Sequence, residues 1–207
     1  MHKIAFIVIA ASGFATHADI IQVSEFESFQ FEGFNDLDMG TFERNPVSVF
    51  NGLGELSNTS GSSWLHATGG WSLGTGDWRA RTDAFEGSKF LGTSRGGVEY
   101  RFNTNQKSFG GYFSTIANVA DAEIKFYNGD SLVGSDVLNA ALGGEWAWNG
   151  WSSNVEFDRV TVDSNYGNSG GFLMHDAVRV LSTEVPTQGS IAIIGAGMLL
   201  AGRRRRA

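Results

Sequence analysis

The sequence predicts an all-β protein, an antiparallel β-sandwich of jelly-roll type. Short apolar or alternating runs recur between glycine and asparagine residues through the middle of the chain, which is typical of strands and turns. No long window there repeats apolar side chains at a spacing of three and four, and the 28 glycines disfavour persistent helices. About ten strands with turns every eight to twelve residues fit two packed sheets, with a barrel as the weaker alternative.

The predicted strands follow one another between turn-forming residues. In Ala122–Tyr127, apolar side chains alternate with charged ones, as expected when one face meets a core and the other meets water. Asn128-Gly129-Asp130 then predicts a hairpin into Ser131. The glycine pairs at 69–70, 96–97, 143–144 and 170–171 are interpreted as turns, because no Gly-Lys-Ser or Gly-Lys-Thr follows them to make a phosphate loop. In chain order, the predicted strands are Ser28–Phe31, Val47–Phe50, Trp64–Ala67, Lys89–Thr93, Val98–Asn103, Phe109–Ile116, Ala122–Tyr127, Ser131–Leu138, Glu145–Trp151, Phe157–Asp163 and Gly171–Leu181.

The start of the chain has the pattern of a secretory signal peptide. A short basic region ending at Lys3 precedes an apolar run, Ile4–Ala11, and small residues lie at Ala15 and Ala18 where signal peptidase requires them. We prefer cleavage after Ala18 to cleavage after Ala15. The sequence therefore predicts an exported protein with a signal peptide at 1–18, a β-sandwich domain at 19–184 and a separate C-terminal segment at 185–207.

Without its two ends, the chain is strongly acidic. Lys3 and the four C-terminal arginines are five of the fifteen basic residues, whereas all 22 acidic residues lie between Asp19 and Glu184, so the predicted domain carries a formal charge of −12. An acidic surface repels phosphate, which disfavours nucleic acid as a partner. The chain contains no cysteine, which excludes disulfides, thiolate zinc sites and cysteine nucleophiles.

The C-terminal segment combines three features in a fixed order. Val185-Pro186 begins it, the apolar run Gly189–Gly202 follows, and four arginines, Arg203, Arg204, Arg205 and Arg206, end it. As a helix, the run of 14 residues would extend ~21 Å, less than the ~30 Å hydrocarbon layer. The arginines favour the cytoplasmic side. These features predict a short transmembrane segment that holds the chain transiently, with the preceding domain outside.

This ending resembles the PEP-CTERM sorting signal, which bacterial exosortases process. The resemblance implies an exosortase-type membrane protease and signal peptidase as partners, processing at or near Val185-Pro186, and a final location at the cell surface or outside the cell. It also implies an association with exopolysaccharide and biofilm, and glycosylation. The closing run Gly171–Val180 further resembles the last strand of exported β-sandwich domains that precede such signals. In those domains two adjacent aspartates stand where this chain has His175-Asp176.

The sequence assigns no catalytic residue and no metal ligand. After removal of the leader, only His66 and His175 remain, and they lack the spacing of a zinc site. No Gly-x-Ser-x-Gly elbow occurs, and no pair of carboxylates stands out as a glycosidase pair. Calcium is a further candidate ligand, because oxygen-rich loops such as Asn35–Asp38 and Asp163–Asn165 suit that ion. No calcium ligand is assigned.

The tryptophans are the candidate binding residues. If Glu145–Trp151 is a strand, Trp146 and Trp148 share a face and Trp151 points to the other. Exposed indoles would stack on sugar rings, whereas buried ones would fill the core. The sequence favours a non-enzymatic surface or extracellular-matrix protein. A carbohydrate-binding module using Trp146, Trp148 or Trp151 is the alternative, and an enzyme acting on polysaccharide is a third interpretation.

Overall fold

A computed structural model describes residues 19–38, 40–42, 46–67, 83–115, 121–164 and 172–183. Ten strands make up most of this part of the chain, and the only helical element in it is a single 3₁₀ turn, Phe50–Gly52. The strands are β1 (Ile20–Gln22), β2 (Gln30–Glu32), β3 (Gly40–Phe42), β4 (Val47–Val49), β5 (Gly54–Ala67), β6 (Lys89–Ser114), β7 (Asp121–Asn128), β8 (Ser131–Asn139), β9 (Ala147–Asp163) and β10 (Phe172–Leu181). The structure is therefore an all-β, mostly antiparallel assembly.

Two long strands, β6 and β9, run through both layers of a β-sandwich. In the first sheet, the start of β6 pairs with β5 and with the end of β9, where Val98 lies beside Val162. In the second sheet, the end of β6 pairs with the start of β9, where Phe109 lies beside Trp151. The register shifts between these two stretches, as happens where a strand bends from one layer into the next.

The remaining strands extend the two sheets outward. β3 and β4 pair with β5 in the first sheet, and the β7–β8 hairpin adds to the end of β9. In the second sheet, β1 pairs with the start of β9, and β10 lies between β6 and β2. Near its start β10 also joins the layers, because His175 lies beside Leu91 on one side and Phe113 on the other.

Aromatic side chains fill the space between the sheets. Phe126 is fully buried, with its ring centroid 5.1 Å from that of Phe157 and 6.0 Å from that of Trp151. Large rings bury 150–250 Å² each, which suits a core that has no disulfide to support it. Among the described residues, the largest fully buried side chains are Trp151, Tyr100, Phe34, Phe90, Phe109, Phe113, Phe126, Phe157, Leu56, Leu91, Ile124 and Leu138.

The structure confirms the β-class and the β7–β8 hairpin around Gly129, but it corrects several strand boundaries. Three predicted strands between Lys89 and Ile116 form the single strand β6, and the two predicted between Glu145 and Asp163 form β9. The prediction of a turn at Gly96-Gly97 is therefore wrong, whereas Gly143 and Gly144 do lie in a turn. β1, β3 and the first ten residues of β5, Gly54–Ser63, were not predicted. The jelly-roll type stays a prediction.

The two predicted export segments, 1–18 and 185–207, lie outside the described residues. Within the residues that the structure does describe, no helix is long and apolar enough to cross a membrane. The signal peptide, its cleavage site at Ala18 and the C-terminal sorting segment therefore stay predictions.

Candidate functional site

Trp151 belongs to the core rather than to a binding surface. Its side chain is 1 % exposed, and its indole Nε1 donates a hydrogen bond to Asp136 Oδ2 at 2.8 Å. Burial raises the pKa of Asp136, but hydrogen bonds from Trp151 and Gln22 outweigh it and leave the pKa lowered. An ionised carboxylate thus fixes the indole. This ring offers no free face for stacking, so Trp151 is removed from the candidate sugar-binding residues.

Trp148 lies on the outer face of the second sheet, on a floor of two glycines. A Cβ atom at Gly110 would lie 2.6 Å from the indole Cζ2, and one at Gly150 would lie 2.7 Å from Nε1. Since real Cβ atoms do not approach other atoms so closely, the indole can lie against the sheet only because both positions are glycine. Its Nε1 donates to the carbonyl of Val23 at 3.2 Å, and the residue as a whole is half-buried.

A segment from the N-terminal side of the domain crosses this face. We call Val23–Ser28 the strap, because it connects β1 at one edge of the second sheet to β2 at the other. Val23 donates its amide to the carbonyl of Gly150 at 2.9 Å, and Ser28 Oγ donates to the carbonyl of Val180 at 2.6 Å. Between them, the Phe26 ring packs edge-on against Trp148, with centroids 5.3 Å apart. The strap therefore covers part of Trp148.

More exposed rings lie beside Trp148. Phe85 is 41 % exposed and stacks on Tyr112, with ring centroids 3.5 Å apart and planes at 15°. Tyr112 in turn meets Trp148 edge-on at 5.5 Å. The loop that carries Phe85 also binds Trp146, whose Nε1 donates to the carbonyl of Asp83 at 2.9 Å. We call Phe85, Tyr112, Trp146 and Trp148 the aromatic face.

Charged and hydroxyl groups lie at the edge of the aromatic face. Arg179 Nη1 donates to Glu25 Oε1 at 2.7 Å and to the carbonyl of Phe26 at 2.9 Å, and its guanidinium carbon lies 5.5 Å from the centre of the Trp148 ring. The Tyr112 hydroxyl donates to Glu25 Oε2 at 2.7 Å. Tyr112, Glu25 and Arg179 thus form one hydrogen-bonded group beside the rings.

The protonation states of this group follow from its contacts. The hydrogen bond from Tyr112 is the main cause that lowers the pKa of Glu25, with a further contribution from Arg179. Burial, followed by the bond to Glu25, raises the pKa of Tyr112 to about 12. At neutral pH the carboxylate is therefore ionised and the phenol protonated. The site presents ring faces next to one anionic acceptor, Glu25, which the buried Arg179 helps to hold in place. This combination suits a ligand with apolar and hydroxyl faces.

A second depression of about 460 Å³ lies at the loops that follow β2 and β4, lined by Phe31–Leu37, Ser48, Asn51 and Gly52. Its half-buried carboxylate is Glu32, whose two oxygens accept from the amides of Phe34 at 2.6 Å and Phe50 at 2.7 Å. Both amides belong to residues with positive φ, 58° and 54°, which is a strained backbone that the carboxylate stabilises. Burial raises the pKa of Glu32. Because its two oxygens hold the backbone of two positive-φ residues in place, Glu32 acts as a structural residue here.

One of the two loops predicted as candidates for calcium, Asn35–Asp38, holds an ammonium group, and the other, Asp163–Asn165, lies partly outside the described residues. Lys89 Nζ donates to the carbonyl of Asn35 at 2.9 Å and to that of Leu37. The Asn35 Oδ1 atom accepts from the amides of Ser88 at 2.7 Å and Lys89 at 3.2 Å. These oxygen atoms are therefore bound to groups of the protein itself. Among the described residues, no group of three or more metal-ligating side chains occurs, and calcium binding stays a prediction.

The adjacent pair His175-Asp176 is buried rather than at the strand surface. Neither residue has any exposed area, and His175 Nδ1 lies 3.1 Å from the Tyr100 hydroxyl. Burial lowers the pKa of His175 to about 3, so the ring is neutral. Burial also raises the pKa of Asp176 to about 7. Of the other histidine considered in the sequence, His66, the structure describes only the backbone, which lies in β5.

Several residues of the aromatic face were not predicted. Tyr112 could have been predicted from a signal in the sequence: side chains alternate along β6, so Tyr112 faces away from the core that its neighbour Phe113 enters. Phe85, Glu25 and Arg179 carried no such signal, because they join the face through contacts between distant parts of the chain. Trp146 directly precedes β9 and packs edge-on against Phe90, whereas Trp148 lies within β9. Trp151 points into the core.

No protein-family profile matches the chain, and no curated protein matches it. Solved structures with a similar course of the backbone include three carbohydrate-binding modules. TmCBM61 in complex with β-1,4-galactotriose is 14 % identical, with 72 % of this chain and 94 % of that chain covered and a TM-score of 0.42. A CBM29-2 mutant complexed with mannohexaose is 12 % identical, with coverages of 70 % and 93 % and a TM-score of 0.37. The GH31 CBM32-2 module bound to GalNAc is 14 % identical, with coverages of 81 % and 100 % and a TM-score of 0.35.

Proposed function

We propose that residues 19–184 form a non-catalytic saccharide-binding domain. The observation that supports this is the aromatic face: Phe85 stacks on Tyr112 and is 41 % exposed, next to the ionised Glu25. Sugar rings present an axial C–H face that packs on aromatic rings and a rim of hydroxyls that bind carboxylates and phenols. A face of this composition suits a neutral polysaccharide chain.

We further propose that the domain belongs to an exported protein of the cell surface or extracellular matrix. The support is the sequence: the signal-peptide pattern at 1–18 and the resemblance of 185–207 to an exosortase substrate. An exported domain meets exopolysaccharide outside the cell, so the two proposals are compatible. The sorting step and the link to biofilm rest on that resemblance alone.

Titration of the purified protein with neutral oligosaccharides tests the saccharide proposal. The probes are β-1,4-linked hexaoses of glucose and of mannose, and a galactotriose. Isothermal titration calorimetry measures the affinity for each. We expect Phe85→Ala to weaken the best of them about tenfold, which corresponds to about 1.4 kcal/mol. Its melting temperature should stay near that of the parent, because Phe85 is a partly exposed loop residue.

The matched control is Leu132→Ala, which removes an apolar side chain that is 55 % exposed on β8 in the other sheet. This variant should bind as the parent does. Absence of binding to every probe, or equal affinities for parent and Phe85→Ala, would contradict the proposal.

A further inference from the structure

The carboxylate of Asp176 binds backbone amides of the loop that carries Phe85. Asp176 Oδ2 accepts from the amide of Glu86 at 3.0 Å, and the amide of Phe85 also donates to this carboxylate. The other oxygen, Oδ1, accepts from the amide of Ala177 at 2.7 Å. Asp176 is on β10, which is 90 residues from Glu86 in the sequence. One buried side chain therefore joins the last strand to this loop.

The local backbone of β10 supports this arrangement. Ala177 has a φ of 49°, in the left-handed region that alanine rarely adopts. The pairing of β10 with β6 is also interrupted between Asp176 and Arg179. Both features mark a bulge, which redirects a side chain at a cost in free energy. Here the bulge follows directly after the residue whose carboxylate reaches the loop.

The loop that Asp176 binds determines the position of two members of the aromatic face. The ring of Phe85 stacks on Tyr112, and the carbonyl of Asp83 accepts the Nε1 hydrogen of Trp146. The amides that donate to Asp176 therefore belong to Phe85 itself and to the residue after it. The hydrogen bonds to Asp176 are the described contacts of the Phe85 and Glu86 amides. Their loss would leave these two amides without a described partner in the protein.

We propose that Asp176 is a positioning residue of the aromatic face, fixing the Phe85–Glu86 backbone so that the Phe85 ring rests on Tyr112 before a saccharide binds. This inference rests on the proposed function, because it assigns Asp176 a part in binding. If the loop is already ordered before binding, the ligand does not have to supply the free energy of ordering it, and the affinity is higher by that amount. A buried carboxylate is expensive unless several donors satisfy it, and backbone amides from two segments do so here.

The test compares Asp176→Asn, which keeps the volume and one acceptor oxygen, with Asp176→Ala, which keeps neither. Hydrogen exchange of the purified protein reports on the Phe85 and Glu86 amides, and calorimetry with the β-1,4-linked hexaoses and galactotriose reports on affinity. We expect exchange of the two amides to accelerate at least tenfold in Asp176→Ala and less in Asp176→Asn. Affinity should fall in the same order, by about fivefold or more for Asp176→Ala.

Two controls separate positioning from a general loss of stability. Asp136→Asn removes a carboxylate that accepts from Trp151 and Gln22, and it should leave the exchange of the Phe85 loop and the affinity unchanged. In a Phe85→Ala background, Asp176→Asn should weaken binding less than it does in the parent, because the Phe85 ring that Asp176 positions is missing there.

Unchanged exchange at Phe85 and Glu86 in Asp176→Asn would overturn the inference, and so would an equal loss of affinity with and without the Phe85 ring. If Asp176→Ala does not fold, Asp176→Asn carries the test alone. If no probe binds the parent, the proposed function fails, while the exchange measurement still decides whether Asp176 fixes the loop.

Discussion

Replacing Asp176 by asparagine should change how the stability of the protein depends on pH, and replacing His175 by glutamine should change it in the opposite direction. Burial raises the pKa of Asp176 from 3.8 to about 7. It lowers the pKa of His175 from 6.5 to about 3. In both cases the buried environment disfavours the charged form. The two residues are adjacent, and their effects on stability have opposite signs.

Between about pH 4 and pH 6.5, the unfolded chain carries a proton on His175 while the folded protein carries one on Asp176. Each state then binds one proton, so the pair contributes no slope to stability. In Asp176→Asn, His175 is the one member of the pair that still titrates. It binds a proton below pH 6.5 in the unfolded chain but only below about pH 3 in the folded protein. The free energy of unfolding should therefore fall by about 1.4 kcal/mol for each pH unit of acidification.

In His175→Gln only Asp176 titrates, and its folded form takes up a proton as the pH falls below about 7, before the unfolded form does near 3.8. The contribution of this residue to stability therefore rises on acidification, by a similar amount per pH unit. Between pH 6.5 and about pH 4.5, the two variants should diverge from the parent by about 3 kcal/mol each, with opposite signs. The double variant should follow the parent.

Urea unfolding followed by tryptophan fluorescence at several pH values between about 4.5 and 7.5 measures these differences. Other carboxylates, such as Glu25 and Asp136 with their lowered pKa values, titrate alike in parent and variants, so the difference from the parent isolates the pair. Deviations of the same sign in both single variants, or parent-like profiles in both, would refute the reasoning.

Three further predictions concern other parts of the chain. Lys89→Met should destabilise the protein by about 1–3 kcal/mol, because it leaves two loop carbonyls without their donor, whereas Lys125→Met, which removes a surface ion pair, should cost about 1 kcal/mol or less in the same thermal melts. Gly110→Ala should displace the indole of Trp148 and shift the tryptophan emission, since its Cβ would lie 2.6 Å from that ring; an unchanged spectrum would contradict the glycine floor. Intact-mass analysis of native material should find neither the leader nor Arg203–Arg206, and a mature mass that includes the arginines would favour a lasting membrane anchor instead of sorting.

The sequence could predict strands but not where they end, and Gly96 shows why. Glycine pairs usually mark turns, so the pair at 96–97 divided β6 into separate predicted strands. In the structure, a Cβ at Gly96 would lie 1.9 Å from the carbonyl oxygen of Ser60. The glycine is therefore required for the close approach of β5 to β6, which is a tertiary contact. Local sequence patterns report on turn propensity and do not distinguish it from close packing.

The alternation of side chains along one strand predicted which face Trp148 and Trp151 occupy, but it could not predict how exposed Trp148 is. A period of two placed Trp148 and Trp151 on opposite faces, and Trp151 does lie in the core. The half-burial of Trp148, however, comes from the strap, which joins the sheet from more than a hundred residues away. Phe85 joins the face through its stacking on Tyr112. Such contacts depend on topology, and no pattern within a strand reports them.

The last strand, β10, connects the two segments that surround the aromatic face. Asp176 binds the amides of the Phe85 loop on one side, and Arg179 binds Glu25 and the carbonyl of Phe26 in the strap on the other. These two residues stand on either side of the bulge at Ala177. A regular strand would place residues three positions apart on opposite faces. Because the bulge adds a residue between them, both side chains bind segments that border the same face. The geometry of the site therefore depends on the irregularity of β10.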